Sequence, residues 1–295
     1  MSLLVTGSGG FVGRYLKEAV PCVGLGEGDS HIDLRDEAAL RRRVAEVEAD
    51  RVVHLAAQSF IPRAFEDPRE TFEINFLGTW NLLTALADSG FRGRFLYVSS
   101  GDVYGRVAES ALPVDESQPT RPANPYAVSK IAAEALCVQW SQTADFEVII
   151  ARPFNHIGPG QDERFFTQTV ARQIAAQAAT GHVRLKTGNL AVTRDFLDVR
   201  DVVRAYLALL EKGDNGEIYN VCSGREIPLN TIVEKLVALA GIDCEIVQEA
   251  ARVRPNEQRR MLGSPEKLIK TTAWSPEHEL DTSLAEILEY WREKI

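Results

Sequence analysis

Gly7, Gly10 and Gly13 stand three residues apart, directly behind the apolar run Leu3–Thr6 and at the head of an amphipathic stretch that reaches residue 19. Strand, glycine loop and helix in that order leave few folds open. Without Cβ atoms the loop can turn sharply and let a phosphate approach the main chain. The helix behind it offers free N–H groups and a partial positive charge. A glycine trio alone marks any tight turn; between a strand and a helix it reads as the phosphate-binding turn of a dinucleotide site.

The rhythm downstream agrees. Apolar runs at 22–25, 51–55, 94–99, 147–152 and 217–221 alternate with helical stretches at 10–19, Glu37–Glu46, 71–87 and 125–142. That alternation is the signature of a parallel sheet with crossover helices. The last of these helices carries its own start signal, with Asn124 as cap and Pro125 in the first turn. Beyond about residue 155 glycine and proline cluster at 156–160, and helical stretches near 165–180, 200–212, 231–241 and 283–294 follow. The expected architecture is α/β: a Rossmann-type doubly wound parallel sheet with a smaller C-terminal α/β substrate lobe. Residues 1–155 with about 193–222 would make the dinucleotide-binding domain, and about 156–192 with 223–295 the lobe.

Composition narrows the functional classes. With 45% hydrophobic and 25% charged residues among 295, neither class is depleted and a sizeable core can form. A formal charge of −9 argues against a nucleic-acid partner, because phosphate backbones demand a basic surface. No run approaches the roughly 18 apolar residues a membrane span needs, and MSLLVTGSGG lacks a secretion pattern. The expectation is a cytoplasmic chain with no membrane partner. Cys22, Cys137, Cys222 and Cys244 are scattered without a CxxC pair, and the five histidines show no metal-ligand spacing. They read as core thiols, with no metal site.

Tyr126 and Lys130 lie four apart at the start of the fourth helix, so they share a face about 6 Å apart along its axis. A free tyrosine ionises near pH ~10. The neighbouring ammonium and the helix N-terminus are expected to lower that value toward neutrality and make Tyr126 a proton donor to a carbonyl oxygen. Ser100, at the end of the fourth strand, would hydrogen-bond the same oxygen. Lys130 would also reach the ribose of a nicotinamide cofactor.

With the glycine loop, four further segments carry a likeness over nearly the whole chain: HLAAQS at 54–59, SSGDVYG at 99–105, PYAVSK at 125–130 and RDFLDVRDVV at 194–203. In these the sequence resembles the extended short-chain dehydrogenase/reductase family. The resemblance implies a catalytic Ser100, Tyr126 and Lys130. It implies cofactor contacts from Gly7, Gly10, Phe11, Val12 and Gly13, from Asp33 and Leu34 on the adenine side, from Leu55, Ala56 and Ala57, and from Arg152, Pro153 and Asn155. The cofactor would be NADPH or NADH. The tip of the second strand reads Val23-Gly24-Leu25-Gly26 with Glu27 one step late, and Arg14 follows the last glycine, so neither form is favoured. A homodimer through the helices at 71–87 and 125–142 is also implied.

Within the family, ARPFNHIGPGQ (151–161), TRDFLDV (193–199), YNVCSG (219–224) and EQRRMLGS (257–264) are similar to members that act on GDP-linked sugars. This implies a GDP-sugar substrate held by Asp102, Asn155, Arg194, Arg254 and Glu257. Arginines suit the diphosphate, and a glutamate suits the guanine edge. The implied reaction is NAD(P)H-dependent reduction of the 4-keto group of GDP-4-dehydro-6-deoxy-D-mannose. Dehydratases of the family need an acid and a glutamate just after the catalytic hydroxyl residue; here those places hold Gly101 and Asp102. Epimerase-reductases need a cysteine and a histidine; Asp102 takes the first place, and QDERFFTQTVARQI after Gly160 has no histidine. The alternative kept open is a 4,6-dehydratase or 4-epimerase with tightly bound NAD(P), and Asp102 is also read as a turn residue. A nicotinamide-sensing protein without activity would have lost Tyr126 or Lys130. His156, beside Asn155, reads equally as a substrate contact or a structural hydrogen bond.

Overall fold

The computed structural model describes residues 2–26, 32–249 and 258–295. Six strands, β1 (Leu3–Thr6), β2 (Val23–Gly24), β3 (Arg51–His54), β4 (Arg94–Val98), β5 (Glu147–Pro153) and β9 (Ile218–Val221), form one sheet in the order β2-β1-β3-β4-β5-β9. Every pair is parallel. From β1 the chain runs outward to β2, then returns to place β3 on the other side of β1. The crevice at the ends of β1 and β3 is therefore where such sheets take ligands.

Period-two alternation in the strands builds two cores. Leu4, Val52, Phe95 and Val148 point to one face, where α2 (Glu37–Glu46), α5 (Gly78–Asp88) and α6 (Pro125–Thr143) cover them. Leu3, Val5, Val53, Leu96 and Ile149 point to the other, against α1 (Phe11–Ala19) and α8 (Val199–Lys212). Both faces are buried, which is why these strands read as continuous apolar runs in the sequence.

The stretch expected as one helix at 71–87 differs in detail. After α3 (Ile61–Glu66), α4 (Pro68–Phe72) passes into a π-helical turn, Glu73–Leu77, and only then into α5. The wider turn sets Asn75 inward, 1% exposed, with bonding partners that an α-helical register would not supply.

The C-terminal part adds a three-stranded sheet, β10 (Glu226–Pro228), β8 (Thr193–Asp198) and β6 (Asn155–Ile157), and a parallel pair, β7 (His182–Thr187) with β11 (Asp243–Gln248). α7 (Phe166–Gln177), α9 (Leu229–Ala240) and α11 (Leu280–Lys294) enclose a third core around Ile174, Leu236 and Leu288. β8 pairs with β6 and β10, whereas α8 and β9 behind it join the large sheet. A short α10 (Glu266–Thr272) packs on α8. Among the described residues no helix is long and apolar enough to cross a membrane.

Candidate active site

The glycine loop owes its shape to contact. A Cβ on Gly13 would fall on the Gly7 carbonyl oxygen and lie 2.7 Å from Ser8 Cα, while Gly7 has φ +67° and its Cβ would meet the Ala56 nitrogen at 2.9 Å. The loop is thereby pressed against Leu55-Ala56-Ala57 at the end of β3. Gly10 N–H donates to Gly7 O at 3.0 Å, and Gly10 stands as N-cap of α1 without any side-chain bond. An uncapped helix N-terminus in a glycine cradle fits the diphosphate of a dinucleotide. Phe11 lies parallel to the His156 ring, centroids 6.0 Å apart, and Val12 packs into the α1-side core.

A buried hydrogen-bond chain joins this loop to α6. Thr79 Oγ1 donates to Asn75 O at 2.6 Å, so it accepts from His54 Nε2 at 2.9 Å. The His54 Nδ1 lone pair then takes the Thr6 hydroxyl at 2.6 Å, and Thr6 Oγ1 accepts from Ala56 N. Asn75 holds both main-chain groups of Gln58 and donates to Ser129 Oγ at 3.0 Å; Ser129 donates to Tyr126 O at 2.7 Å. Burial pushes the His54 pKa down to about 3, with the Lys130 charge adding to the fall.

At the ends of β4 and α6 the expected triad comes together. Asn124 caps α6 by accepting from Ala127 N, and Pro125 takes the first turn. Ser100 caps the 3-10 turn Gly101–Tyr104 through Asp102 N, and its side chain lies near enough to Tyr126 to favour the ionised hydroxyl. Lys130, 3% exposed, donates to Val98 O at 2.8 Å with its ammonium 6.0 Å from the Tyr126 ring centre. Burial lowers the Lys130 pKa to about 8.

One expectation is overturned here. The Tyr126 hydroxyl is not made acidic. Burial raises its pKa above the usual 10, the Asp102 carboxylate raises it further, and only Ser100 pulls it down. The sequence placed Lys130 on the same helix face, but the chain turns its ammonium toward the β4 carbonyl. Tyr126 is therefore held protonated, the form that gives a proton away.

The remaining candidates divide. Asn155 reaches Asp195 O with its amide at 3.2 Å, which sets it beside Arg194 on β8. Arg194 itself donates to Thr193 O and Gln258 O. Pro153 ends β5, paired with Val221. Arg152 forms a buried bidentate pair with Glu134 through Nε and Nη2, at 2.9 and 2.7 Å, while its buried Nη1 makes no hydrogen bond. Asp33 pairs with Arg35, and Leu34 is packed in the sheet core with its carbonyl taken by Asn81. Arg14 bonds Gly160 O, away from the tip of β2, where Arg43 instead donates to Gly24 O and Leu25 O. Glu27, Arg254 and Glu257 lie outside the described residues. His156 donates from Nδ1 to Phe154 O, which accounts for one ring nitrogen structurally.

Three residues escaped the sequence reading. Asn75 depends on the π turn, which leaves no periodic trace. Asp195, fully buried, accepts from Ser223 N, Ser223 Oγ and Gly224 N, and burial raises its pKa to about 6. Glu134 did leave a signal: it is an acid eight residues after Tyr126, on the face that also carries Lys130.

Comparison with known proteins places this geometry. The family model described as GDP-mannose 4,6 dehydratase matches residues 30–287. GDP-6-deoxy-D-mannose reductase of Pseudomonas aeruginosa is 48% identical over 99% of this chain and 98% of that one. GDP-mannose 4,6-dehydratase of Yersinia enterocolitica is 29% identical over 87% of this chain and 76% of its own length. Among solved structures, RMD from Pseudomonas aeruginosa complexed with NADPH superposes with TM-score 0.93 at 47% identity, covering 100% and 99% of the two chains. The Thermus thermophilus UDP-glucose 4-epimerase complex with NAD gives 0.86 at 27% identity, with both chains covered in full. By these matches, and by the glycine loop and the Ser100–Tyr126–Lys130 cluster that accompany them, the chain belongs to the GDP-mannose 4,6-dehydratase family of extended short-chain dehydrogenases/reductases.

Proposed function

We propose that the protein reduces the 4-keto group of GDP-4-dehydro-6-deoxy-D-mannose to GDP-D-rhamnose with NADPH or NADH. The observation that carries the reading is a buried Tyr126 hydroxyl kept protonated beside Ser100 and Lys130. The full-length likeness to a reductase of GDP-6-deoxy-D-mannose supports the substrate.

A reduced nicotinamide, when held there, would supply the hydride that the sugar carbonyl carbon needs. The chain's own residues do the rest. Ser100 orients the carbonyl oxygen and steadies its growing charge. Tyr126 gives that oxygen a proton, a downhill transfer from a phenol to an alkoxide. Lys130, charged below pH ~8, would hold the ribose of the reduced cofactor beside Tyr126. Gly7, Gly10 and Gly13 with the head of α1 would hold the cofactor's diphosphate, and Leu55, Ala56, Ala57 and Asn155 would line its path. Asp102, Arg194, Arg254 and Glu257 are the proposed sugar and GDP contacts. Residues 1–155 with about 193–222 form the cofactor side in this reading, and the rest forms the sugar-nucleotide lobe.

Gly101 separates this reading from dehydration. A Cβ there would come within 3.1 Å of the Phe154 ring, so an acid at this place would need that ring to shift. The family match keeps a 4,6-dehydratase as second reading. Incubation with the keto sugar decides: substrate-dependent oxidation of NADPH or NADH is expected. Its absence, with oxidised cofactor held tightly on the purified protein, would favour the dehydratase.

The protein is further proposed to work as a homodimer in the cytoplasm. Leu77 at the end of the π turn, Trp80 on α5 and Val128 on α6 are exposed, in the helical segments expected to pair, and all four cysteines are free thiols.

A further inference from the structure

Tyr126, Lys130 and Glu134 follow at four-residue spacing along α6, so three turns of one helix face carry them in line. Glu134 is 4% exposed. Its carboxylate accepts from Ser99 Oγ at 2.5 Å, from Arg152 Nε at 2.9 Å and from Arg152 Nη2 at 2.7 Å. Ser99 immediately precedes Ser100, and Arg152 stands on the neighbouring strand, one residue past the Ala151 carbonyl that receives Ser99 N. The guanidinium in turn lies 4.9 Å over the Tyr104 ring, at the end of the turn that holds Asp102.

We propose that Glu134 is the positioning residue of this site: it ties the Ser100 strand and the Arg152 strand to the helix of Tyr126, and its negative charge sustains the buried Lys130 ammonium. The inference rests on the reduction chemistry proposed above. Against burial, Cys137 and Glu134, both on α6, are the groups that favour the Lys130 ammonium, and Cys137 carries no charge while burial keeps it a thiol. Tyr97 on β4 has its ring 4.9 Å from the ammonium, and burial keeps it protonated. His54 on β3 is neutral, and Cys137 on α6 is held as a thiol by burial. Tyr126 is protonated. Arg152 on β5 is positive, and Glu134 neutralises it. Glu134 is the member of that pair that shares the helix of Lys130, one turn further along the same face.

The test is the pH profile of kcat/KM with the keto sugar and reduced cofactor. Glu134→Gln should move the alkaline limb down by about one pH unit. Glu134→Asp, which keeps the charge but shortens the reach, should leave the limb in place while kcat falls several-fold. A merely structural role predicts a lower melting temperature with the limb unmoved in both variants, and that result overturns the proposal. Should Glu134→Gln fail to fold around an unpaired Arg152, the double variant Glu134→Gln/Arg152→Gln removes both charges. Its limb should still move down, and an unmoved limb counts against the proposal equally. NMR titration of labelled Lys130 reads the same shift without turnover. An inactive Tyr126→Phe with an unshifted Lys130 in Glu134→Gln sinks this inference alone; a fully active Tyr126→Phe sinks the reduction chemistry beneath it.

Discussion

The Lys130 ammonium donates to the Val98 carbonyl oxygen at 2.8 Å and lies 6.0 Å from the centre of the Tyr126 ring. Lysine and tyrosine therefore divide the work in the proposed reaction. The tyrosine gives the proton, and the lysine would hold the ribose of the reduced cofactor.

Tyr126→Phe removes the proton donor and keeps the buried ring. Ketone reduction should fall about 10²–10⁴-fold, with stability within about 1–2 kcal/mol of the parent. Steady-state rates and a thermal melt check both.

The alkaline limb should report Lys130. Its charged form is favoured below pH ~8 and lost above it, whereas Tyr126 stays protonated well beyond that range. The expected outcome is a kcat/KM that declines as pH rises through about 8. A plateau extending past pH ~10, the ordinary lysine range, would contradict the burial of this ammonium.

Gly13→Ala and Gly9→Ala make a matched pair. The first drives a methyl into the Gly7 and Ser8 main chain, and the second meets nothing within 4 Å. Gly13→Ala should cost roughly 1–3 kcal/mol and weaken reduced-cofactor binding at least tenfold. Gly9→Ala should change neither. Fluorescence titration of NADPH and denaturant unfolding distinguish them.

His54 should make the fold acid-sensitive. Its pKa is lowered from 6.5 to about 3 in the folded chain. Between those values the unfolded chain binds a proton that the folded one refuses, so stability rises with pH there and is lost as pH falls from about 6.5. The full effect is on the order of 4 kcal/mol. Urea unfolding across this range measures it, and NMR should find the ring neutral where a free imidazole titrates.

Leu77 and Trp80, each 48% exposed on adjacent turns, are the proposed centre of the dimer face. Trp80→Glu should shift the protein to monomers in sedimentation while leaving the monomer folded. A wild-type protein that sediments as a monomer at micromolar concentration would remove the dimer proposal.

Local chemistry made much of this visible in the chain itself. The alternation of Leu3, Leu4 and Val5 with their counterparts in β3, β4 and β5 announced a sheet buried on both faces, and Asn124-Pro125 announced where α6 begins. Gly7 and Gly13 were legible because positive φ and close main-chain approach exclude side chains there. Tyr126, Lys130 and Ser100 were legible as a set because helix period and strand end fix their places. The short strands β6, β7, β8, β10 and β11 were missed. At three to six residues each they are too short for a clear period, and β8 interleaves buried aspartates with its apolar residues.

What the sequence alone determined was therefore set by neighbours along the chain: strands, caps, the glycine loop and the spacing of the triad. Tertiary structure decided the charges. Whether Tyr126 is acidic depends on burial, on Asp102 and on the direction Lys130 takes toward Val98. Whether Arg152 meets a ligand or Glu134 depends on a strand and a helix 18 residues apart in sequence. Desolvation and ion pairing act through space between segments that meet only in the fold, and no periodicity in the chain encodes them.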